Sequence, residues 1–376
     1  MQWLDKLLSF PDLGAMRADL AAKHPAFQLS RLTRLAIVGA ADEGKRLAAL
    51  CAKRNLDVLS IADDNPAVQG TIVNDVPVIP VDALVALPAD TPVVIASHRV
   101  LKALDRLTAM GFANVAPFAL LEILAPEAFA PHMFYAGWLE ELFASRERHQ
   151  ALAGLWADDF SRRVHDAVIG YRLTADATLF ADVVDWELYS PRGDFLPALE
   201  SPVYIDAGAF DGDTIRLFIE RQGEKFEKIY GFEPDPGTFA RLRANFTSES
   251  RVIAINKGLY SKPCTLRFDN AGSRGSLLTE SSGIEVPVTS IDETLQGERI
   301  SMIKLNVEGA ELEALVGAQD SIRRHAPVLA VSAYHLPDHL WKVPAAIRGL
   351  RDDYRLYLRQ HDGGVIETVV YAVAKS

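Results

Sequence analysis

The stretch PVYIDAGAFDGDT, residues 202–214, determines how the C-terminal half of the chain folds. Its apolar run Val203–Ile205 predicts a buried strand that ends at Asp206. A loop with two glycines, Gly208 and Gly212, follows, and then a helical pattern, TIRLFIERQG. Strand, glycine loop and helix in this order are typical of open, mainly parallel α/β sheets, where ligands bind outside the carboxyl ends of the strands. The loop is therefore a candidate binding site.

The alternation of strand and helix patterns continues to the C-terminus and predicts an α/β domain over residues 191–376. Further strands are predicted at the runs KIYGFEP, VIAINKG, ISMIKLN and VLAVSAYH. Antiparallel excursions are predicted at CTLRFDN and IEVPVTSI. The closing runs YRLYLRQ and VIETVVYAV, separated by HDGG, predict a hairpin. The expected sheet is parallel with an antiparallel edge.

A second alternating segment precedes this domain and predicts a smaller, parallel, Rossmann-like α/β domain at residues 31–124. It begins at RLAIVGA, residues 34–40. Residues 1–30 read as a helical segment, and residues 125–190 as a helical, aromatic connector. The aromatic stripe of the connector serves either its own core or a contact between copies of the chain in a homo-oligomer.

Composition excludes several classes of function. The 376 residues carry a net charge of -11, which argues against a non-specific nucleic-acid binder and an anionic-membrane partner. No apolar run reaches the roughly 20 residues of a spanning helix, so no membrane insertion is expected. Two isolated cysteines, Cys51 and Cys264, predict buried thiols in a reducing cytoplasm. No metal site is expected, because the histidines lack ligand spacing; this includes His132, His149 and His165.

Acidic residues crowd the glycine loop. Asp206, Asp211 and Asp213 would repel a pyrophosphate, and they suit a cationic ligand or one rich in hydroxyl and amino groups. The alternative is that Asp211 or Asp213 simply caps the following helix.

A second carboxylate narrows the ligand class. Glu233 lies at the tip of the predicted strand KIYGFEP, 27 residues after Asp206. A carboxylate there can accept hydrogen bonds from both hydroxyls of a ribose, as in dinucleotide folds. An acidic loop and a ribose acid, without a phosphate loop, together indicate S-adenosylmethionine, which has an amino-acid end, a sulfonium and a ribose but no phosphate.

Five motifs in order resemble one family: VYIDAGAFDGDT, GFEPDPGTFARLRANF, VPVTSID, IKLNVEGAELEALVGA and LAVSAYHLPDHLWKVP. Together they resemble the FkbM family of S-adenosylmethionine-dependent methyltransferases over roughly residues 189–373. The resemblance implies the seven-stranded, Rossmann-like class I methyltransferase fold. It also implies S-adenosylmethionine as methyl donor and O-methylation of a hydroxyl, so the expected partner is a small-molecule or glycan acceptor.

The resemblance implies a donor site as well. The glycine loop should meet the methionine end, Glu233 the ribose and Asn256 the adenine edge. The implied donor-binding residues are Asp206, Ala207, Gly208, Gly212, Glu233, Pro234, Asp235 and Asn256.

Asn306, Glu308 and His335 are the implied residues beside the transferred methyl group. Relatives usually carry Asp at position 306 and many carry Asn at position 210, where this chain has Phe210. An amide is not basic, so Asn306 either orients the substrate through its carbonyl oxygen or marks a lost acid. Glu308 either serves the reaction as a carboxylate or complements the dipole of the following helix.

His335 follows the predicted strand VLAVSAYH and is the candidate general base, since its ordinary pKa lies near neutrality. The alternative is a structural hydrogen bond. Tyr334 and Asp338 are the expected orienting neighbours, and His339 is placed on the next helix. The polar loop at residues 268–283 is either an acceptor lid or a surface loop.

The N-terminal domain resembles small α/β domains of bacterial sugar-modifying enzymes. Asp63, Asp64, Asn65, Ser97 and His98 either meet a ribose or sugar at its strand ends or form turns. Three functions remain open: a methyltransferase, a donor-binding protein that has lost catalysis, and a nicotinamide-dependent oxidoreductase. The missing dinucleotide fingerprint argues against the third.

Overall fold

The computed structural model describes residues 1–189, 195–223, 225–268 and 284–375. These divide into two compact units. Unit 1 comprises Met1–Gln150, Arg162–Val184 and Asp362–Ile366, and unit 2 comprises Ala151–Ser161, Asp185–His361 and Glu367–Ser376. Most of the segment in which we expected a connector, 125–190, thus lies in unit 1. The predicted lid lies outside the described residues, except for its first position.

Unit 1 is built on a mainly parallel sheet, because its strands are apolar runs buried on both faces. The strand order is β3-β4-β2-β1-β5-β6, and only β3 pairs antiparallel. The strands are β1 (Arg34–Val38), β2 (Asp57–Ala62), β3 (Ile72–Val73), β4 (Val76–Ile79), β5 (Val93–Ile95) and β6 (Val115–Pro117).

The helices up to residue 174 are mostly short. They are α1 (Gln2–Ser9), α2 (Leu13–Lys23), α3 (Asp42–Ala52), α4 (Leu101–Ala109), α5 (Phe118–Leu124), α6 (Trp138–Ala144), α7 (Arg146–Ala153) and α8 (Asp159–Thr174). Short 3-10 helices span Pro25–Phe27, Val81–Ala86, Met133–Tyr135 and Ala177–Phe180. Helix α1 buries Leu4 and Leu7 within the protein, as its amphipathic pattern predicts. Cys51 is buried as expected, but Cys264 is only half-buried.

The seven-stranded sheet of unit 2 has the order β15-β16-β14-β13-β7-β8-β9 in the described residues. Strands β9, β8, β7, β13 and β14 run parallel, and β16 and β15 add the expected antiparallel edge. A separate small sheet has the order β10-β12-β11. The strands are β7 (Val203–Ala207), β8 (Lys228–Phe232), β9 (Val252–Ile255), β10 (Gly258–Leu259), β11 (Cys264–Phe268), β12 (Ile284–Thr289), β13 (Met302–Leu305), β14 (Val328–Ser332), β15 (Tyr354–Gln360) and β16 (Thr368–Ala374).

Helices cover this sheet and alternate with its strands. They are α9 (Asp213–Gln222), α10 (Pro236–Asn245), α11 (Ile291–Leu295), α12 (Glu311–Val316), α13 (Gln319–His325) and α14 (His339–Leu350). The predicted hairpin is present, but β16 begins at Thr368 rather than at Val365, because Glu367 has a left-handed φ of 64°. No helix among the described residues is long and apolar enough to cross a membrane.

The class I order brings the carboxyl ends of β14, β13, β7 and β8 side by side. These are the strand ends that carry the residues singled out in the sequence. The fold thereby assembles one candidate site from four separate loops.

Candidate active site

A buried ion pair ties the first loop to the sheet. Strands β7 and β13 pair in a register that places Asp206 opposite Lys304, whose Nζ lies 2.7 Å from Asp206 Oδ1. The same Nζ donates to the main-chain oxygen of Gly208 at 2.8 Å, and the Thr214 hydroxyl donates to Asp206 Oδ2. Asp206 is 0 % exposed. Its carboxylate therefore shapes the loop from inside the protein.

The glycine loop approaches the neighbouring strand end closely. Gly208 has a φ of +72°, and a Cβ there would lie 1.9 Å from the main-chain oxygen of Asn306. Gly212, also left-handed at +89°, is the N-cap residue of α9. Neither Asp211 nor Asp213 caps the helix, contrary to that alternative, because the helix begins at Asp213 itself and Asp211 pairs with Arg216 at 3.0 Å.

Glu233 follows β8 and its carboxylate is directed at the glycine loop. Oε2 accepts a hydrogen bond from Phe210 N at 3.0 Å, and Oε1 accepts one from Asp235 N at 2.9 Å. Burial raises the pKa of Glu233 to about 7, although these two bonds act in the opposite direction. Phe210 is 40 % exposed at a φ of +49° beside this acid.

The residues beside Glu233 mainly shape its turn. Asp235 caps α10 by accepting a hydrogen bond from Thr238 N at 2.7 Å. Asn256, after β9, donates from Nδ2 to the main-chain oxygens of Glu233 and Pro234 at 2.9 and 3.0 Å. These bonds use the amide nitrogen of Asn256. Its Oδ1 is therefore the atom that is proposed to contact an adenine edge.

Asn306 lies directly after β13 and is half-buried. Its Nδ2 donates to the Tyr189 hydroxyl oxygen at 3.1 Å. Tyr189 is buried, and the sequence analysis did not single it out. The amide is therefore held by a tyrosine that precedes the sheet, which leaves its Oδ1 as the acceptor that could orient a substrate.

Glu311 organises the other side of the site. It is the first residue of α12, is 0 % exposed, and lies 2.7 Å from His335 Nδ1 and 3.2 Å from His339 Nδ1. Asp338, expected to orient His335, instead pairs with Lys342. Tyr334 does contact His335, with ring centroids 4.2 Å apart. Glu311 is thus the residue that fixes His335.

Charge determines the protonation of His335. Burial alone would lower its pKa, but the charge of Glu311 and its hydrogen bond, together with Glu308 and Glu367, raise the pKa to about 9. Burial alone would raise the pKa of Glu311, but His335 and His339 hold it well below its usual range. The surrounding charges therefore favour a protonated imidazole at His335 near neutral pH, whereas a general base starts unprotonated.

The sequence analysis passed over three residues of this site, two of which have a signal in the sequence. Lys304 is a charged residue inside an apolar strand, which is unusual unless a partner faces it on the neighbouring strand. Glu311 lies on the helix face of Ala314 and Leu315, both of which are buried. Residues three and four positions apart share one face of a helix, so this spacing predicts that Glu311 is buried as well. Tyr189 has no local signal, because the long-range fold alone brings it to Asn306.

The N-terminal candidates contact both their neighbours along the chain and distant residues of unit 1. Asp63 accepts from Ala40 N at 2.7 Å and from Asn65 N at 2.8 Å, and Asp64 pairs with Arg106. His98 packs edge-on against Phe134. Among the residues that the structure describes, no group of three or more His, Cys, Asp or Glu side chains is arranged to hold a metal ion.

Residues 206–362 match the family model described as the methyltransferase FkbM domain. The crystal structure of methyltransferase FkbM from Methylobacillus flagellatus KT is similar over 96 % of this chain and 100 % of that chain, with a TM-score of 0.72 and 24 % identity. At this level of identity the likeness shows the fold alone. No curated protein has significant similarity to the chain.

Weaker likenesses extend to other solved methyltransferase structures. Fibrillarin from Aeropyrum pernix, with S-adenosyl-L-methionine bound, is 15 % identical over 47 % of this chain and 69 % of its own, with a TM-score of 0.32. SMU.1697c, a putative methyltransferase from Streptococcus mutans in complex with SAH, is 13 % identical over 53 % of this chain and 95 % of its own, with a TM-score of 0.30.

Proposed function

Since residues 206–362 belong to the methyltransferase FkbM domain family, we propose that the protein transfers a methyl group from S-adenosylmethionine to a hydroxyl of a carbohydrate or nucleotide sugar. The observation that carries this proposal is the buried Glu233 carboxylate facing the glycine loop at the adjoining ends of β7 and β8. That pairing of a close-approach loop with an acid suits a ribose-bearing ligand.

The chemistry of the donor set fits S-adenosylmethionine. Gly208 lets the loop pass close to the main chain of Asn306, and Glu233 can accept hydrogen bonds from a ribose diol. The loop acids do not form a bare negative cluster, because Lys304 neutralises Asp206 and Arg216 neutralises Asp211. When bound, the donor supplies an activated methyl group on a sulfonium, so that the protein contributes mainly positioning and proton handling.

Polar side chains at the end of β13 support a hydroxyl-bearing acceptor. Asn306 has a half-buried amide, and Glu308 has a carboxylate that is one-third exposed. Such groups can orient sugar hydroxyls by hydrogen bonds. The acceptor is proposed to bind over these residues.

Titration calorimetry with S-adenosylhomocysteine tests the donor site. We expect the wild-type protein to bind it, and Glu233→Gln to bind roughly tenfold to a hundredfold more weakly, because a hydrogen bond to a charged group is worth about 1.5–3 kcal/mol. Glu227→Gln is the matched control: Glu227 precedes the same strand and is exposed. Absence of binding to the wild-type protein would overturn the proposal.

The alternative function is a donor-binding protein that has lost catalysis, and the amide at position 306 is the observation that favours it. Incubation with labelled S-adenosylmethionine and a panel of free sugars and nucleotide sugars separates the two. Incorporation of label into a sugar identifies an enzyme and its acceptor. Donor binding without incorporation into any class of hydroxyl acceptor supports the binding protein.

The remaining expectations about partners and location also stay proposals. A cytoplasmic location is supported by the free state of both Cys51 and Cys264. A homo-oligomer through the helices of segment 125–190 is checked by light scattering of the purified protein. Neither nucleic acid nor metal is proposed as a partner.

A further inference from the structure

The ring of His335 lies between two carboxylates. Its Nδ1 is 2.7 Å from Glu311 Oε1, and its Nε2 is 3.7 Å from Glu308 Oε2. The contact with Glu311 is a hydrogen bond, whereas the contact with Glu308 is too long for one and places a second negative charge beside the ring. Two carboxylates within 4 Å of the ring favour its positively charged form.

Glu311 is built into the protein as a permanent anion. Its Oε1 also accepts from Val307 N at 2.9 Å, and the side chain is fully buried at the start of α12. A buried carboxylate left without a cationic partner would be costly. His335 is the closest such partner, so the two charges are mutually required.

The elements packed around His335 contribute titratable groups that affect the charge of its ring. The groups that face it are Glu308 from the loop after β13, Glu311 from α12, His339 from α14, Glu367 before β16 and the adjacent Tyr334. Carboxylates outnumber cations in this set. The surroundings therefore stabilise a positive charge on the ring.

Glu308, by contrast, is available to the crevice. Its side chain is 35 % exposed and its backbone has a left-handed φ of 51°. Its Oε2 is buried on the side of His335 and makes no hydrogen bond among the described residues. A non-glycine residue in that conformation requires support from its surroundings. The Glu308 carboxylate is therefore partly exposed and lies next to the imidazole ring of His335.

We propose that Glu311 is a positioning residue that holds His335 as an imidazolium, and that Glu308 is consequently the carboxylate that accepts the proton of the acceptor hydroxyl. This inference rests on the proposed methyltransferase function. Glu311 touches neither donor nor acceptor and acts only through His335.

The proton step balances. As the acceptor oxygen forms its bond to the methyl carbon, the carbon–sulfur bond breaks and its electron pair stays on sulfur. The O–H proton passes to a lone pair of Glu308, and the electrons of the O–H bond remain on the ether oxygen. Neutral alcohol, sulfonium and carboxylate become neutral ether, thioether and carboxylic acid, and Glu308 then releases the proton to water. His335 keeps its charge throughout and stabilises the Glu308 carboxylate before the transfer.

Nitrogen-15 NMR of the histidine-labelled full-length protein tests the inference without an acceptor. The His335 signals are identified by their loss in His335→Gln. In the wild-type protein near neutral pH we expect both ring nitrogens to be protonated, with deprotonation only around pH 9. Glu311→Gln should convert the ring to the neutral form near neutral pH. In Glu308→Gln the ring should stay cationic, because Glu311 remains.

Glu313→Gln, two residues further along the same helix, is the matched control and should leave the His335 signals unchanged. A neutral His335 in the wild-type protein near neutral pH, or an unchanged cationic ring in Glu311→Gln, would overturn the inference. If Glu311→Gln does not fold, the wild-type and Glu308→Gln spectra decide the question. Calorimetry with S-adenosylhomocysteine reports separately on the donor site, so failure of the proposed function and failure of this inference remain distinguishable.

Discussion

At the level of single residues, Asn306 lies directly after β13, and the structure shows what holds it. Its amide nitrogen donates to the Tyr189 hydroxyl. An Asp in its place could accept a hydrogen bond from the same hydroxyl, so either residue fits the local packing. The difference between them is therefore one of charge beside Glu308, not of shape.

We expect Asn306→Leu to reduce the free energy of unfolding by about 1–2 kcal/mol, because it leaves the buried Tyr189 hydroxyl without its partner. Asn306→Asp should cost less, since the tyrosine can then donate instead. Urea unfolding followed by tryptophan fluorescence measures both, and Asn114→Asp in unit 1 is the control.

Turnover distinguishes the two interpretations of Asn306. With a sugar that incorporates label, we expect the rate of Asn306→Asp to stay within about tenfold of the wild-type rate, equivalent to ~1.4 kcal/mol of barrier. That result fits an amide that orients the substrate. A gain well beyond tenfold would mean that the position marks a lost acid.

At the level of elements, the pairing of β7 with β13 also positions the glycine loop. Its register places a buried Lys304 opposite a buried Asp206. The ammonium group also bonds to the Gly208 carbonyl, so two strands and the first loop share one cation. The conformation of the glycine loop therefore depends on a charge located in the neighbouring strand.

Lys304→Met should reduce the free energy of unfolding of unit 2 by about 3–5 kcal/mol, because it leaves the Asp206 carboxylate buried and unpaired. The matched change Lys342→Met removes an exposed pair with Asp338 and should cost less than about 1 kcal/mol. Equal losses from the two substitutions, measured by denaturant unfolding, would contradict a central role for the buried pair.

At the level of the whole molecule, buried histidines whose pKa values are shifted in opposite directions limit the pH range in which the protein is stable. His165 and His361 are kept neutral mainly by burial, which lowers the pKa of His165 to about 3 and that of His361 to about 4. For these groups, stability is lost as pH falls below 6.5 towards those values. For His335, whose folded pKa is raised to about 9, the contribution is complete below pH 6.5 and is lost as pH rises through 9.

We therefore expect the thermal midpoint of the wild-type protein to fall between pH 6.5 and 9, reflecting a loss on the order of 3 kcal/mol from His335. His335→Gln should flatten this alkaline limb. His361→Gln, the control, should change only the acid limb below pH 6.5. Calorimetric scans across this range provide the test, and an alkaline limb that is unchanged in His335→Gln would contradict the assignment.

The strand and helix patterns of residues 202–374 were sufficient to predict a parallel α/β sheet with an antiparallel edge, because apolar runs and glycine turns are local signals. The glycine loop, Glu233, Asn306 and His335 were likewise found at strand ends. The burial of Asp206 against Lys304 was not predicted, because burial is not visible in an isolated loop sequence.

What the sequence alone determined is the fold class, the family resemblance and the set of loops that meet at the site. What only the tertiary structure decided is the state of the charges: Asp206 neutralised by Lys304, and His335 fixed by Glu311 rather than by Asp338. The physical reason is that periodicity and turn chemistry depend on neighbours along the chain. Protonation depends on burial and on partners separated by many residues, which come together only when the sheet and its helices pack.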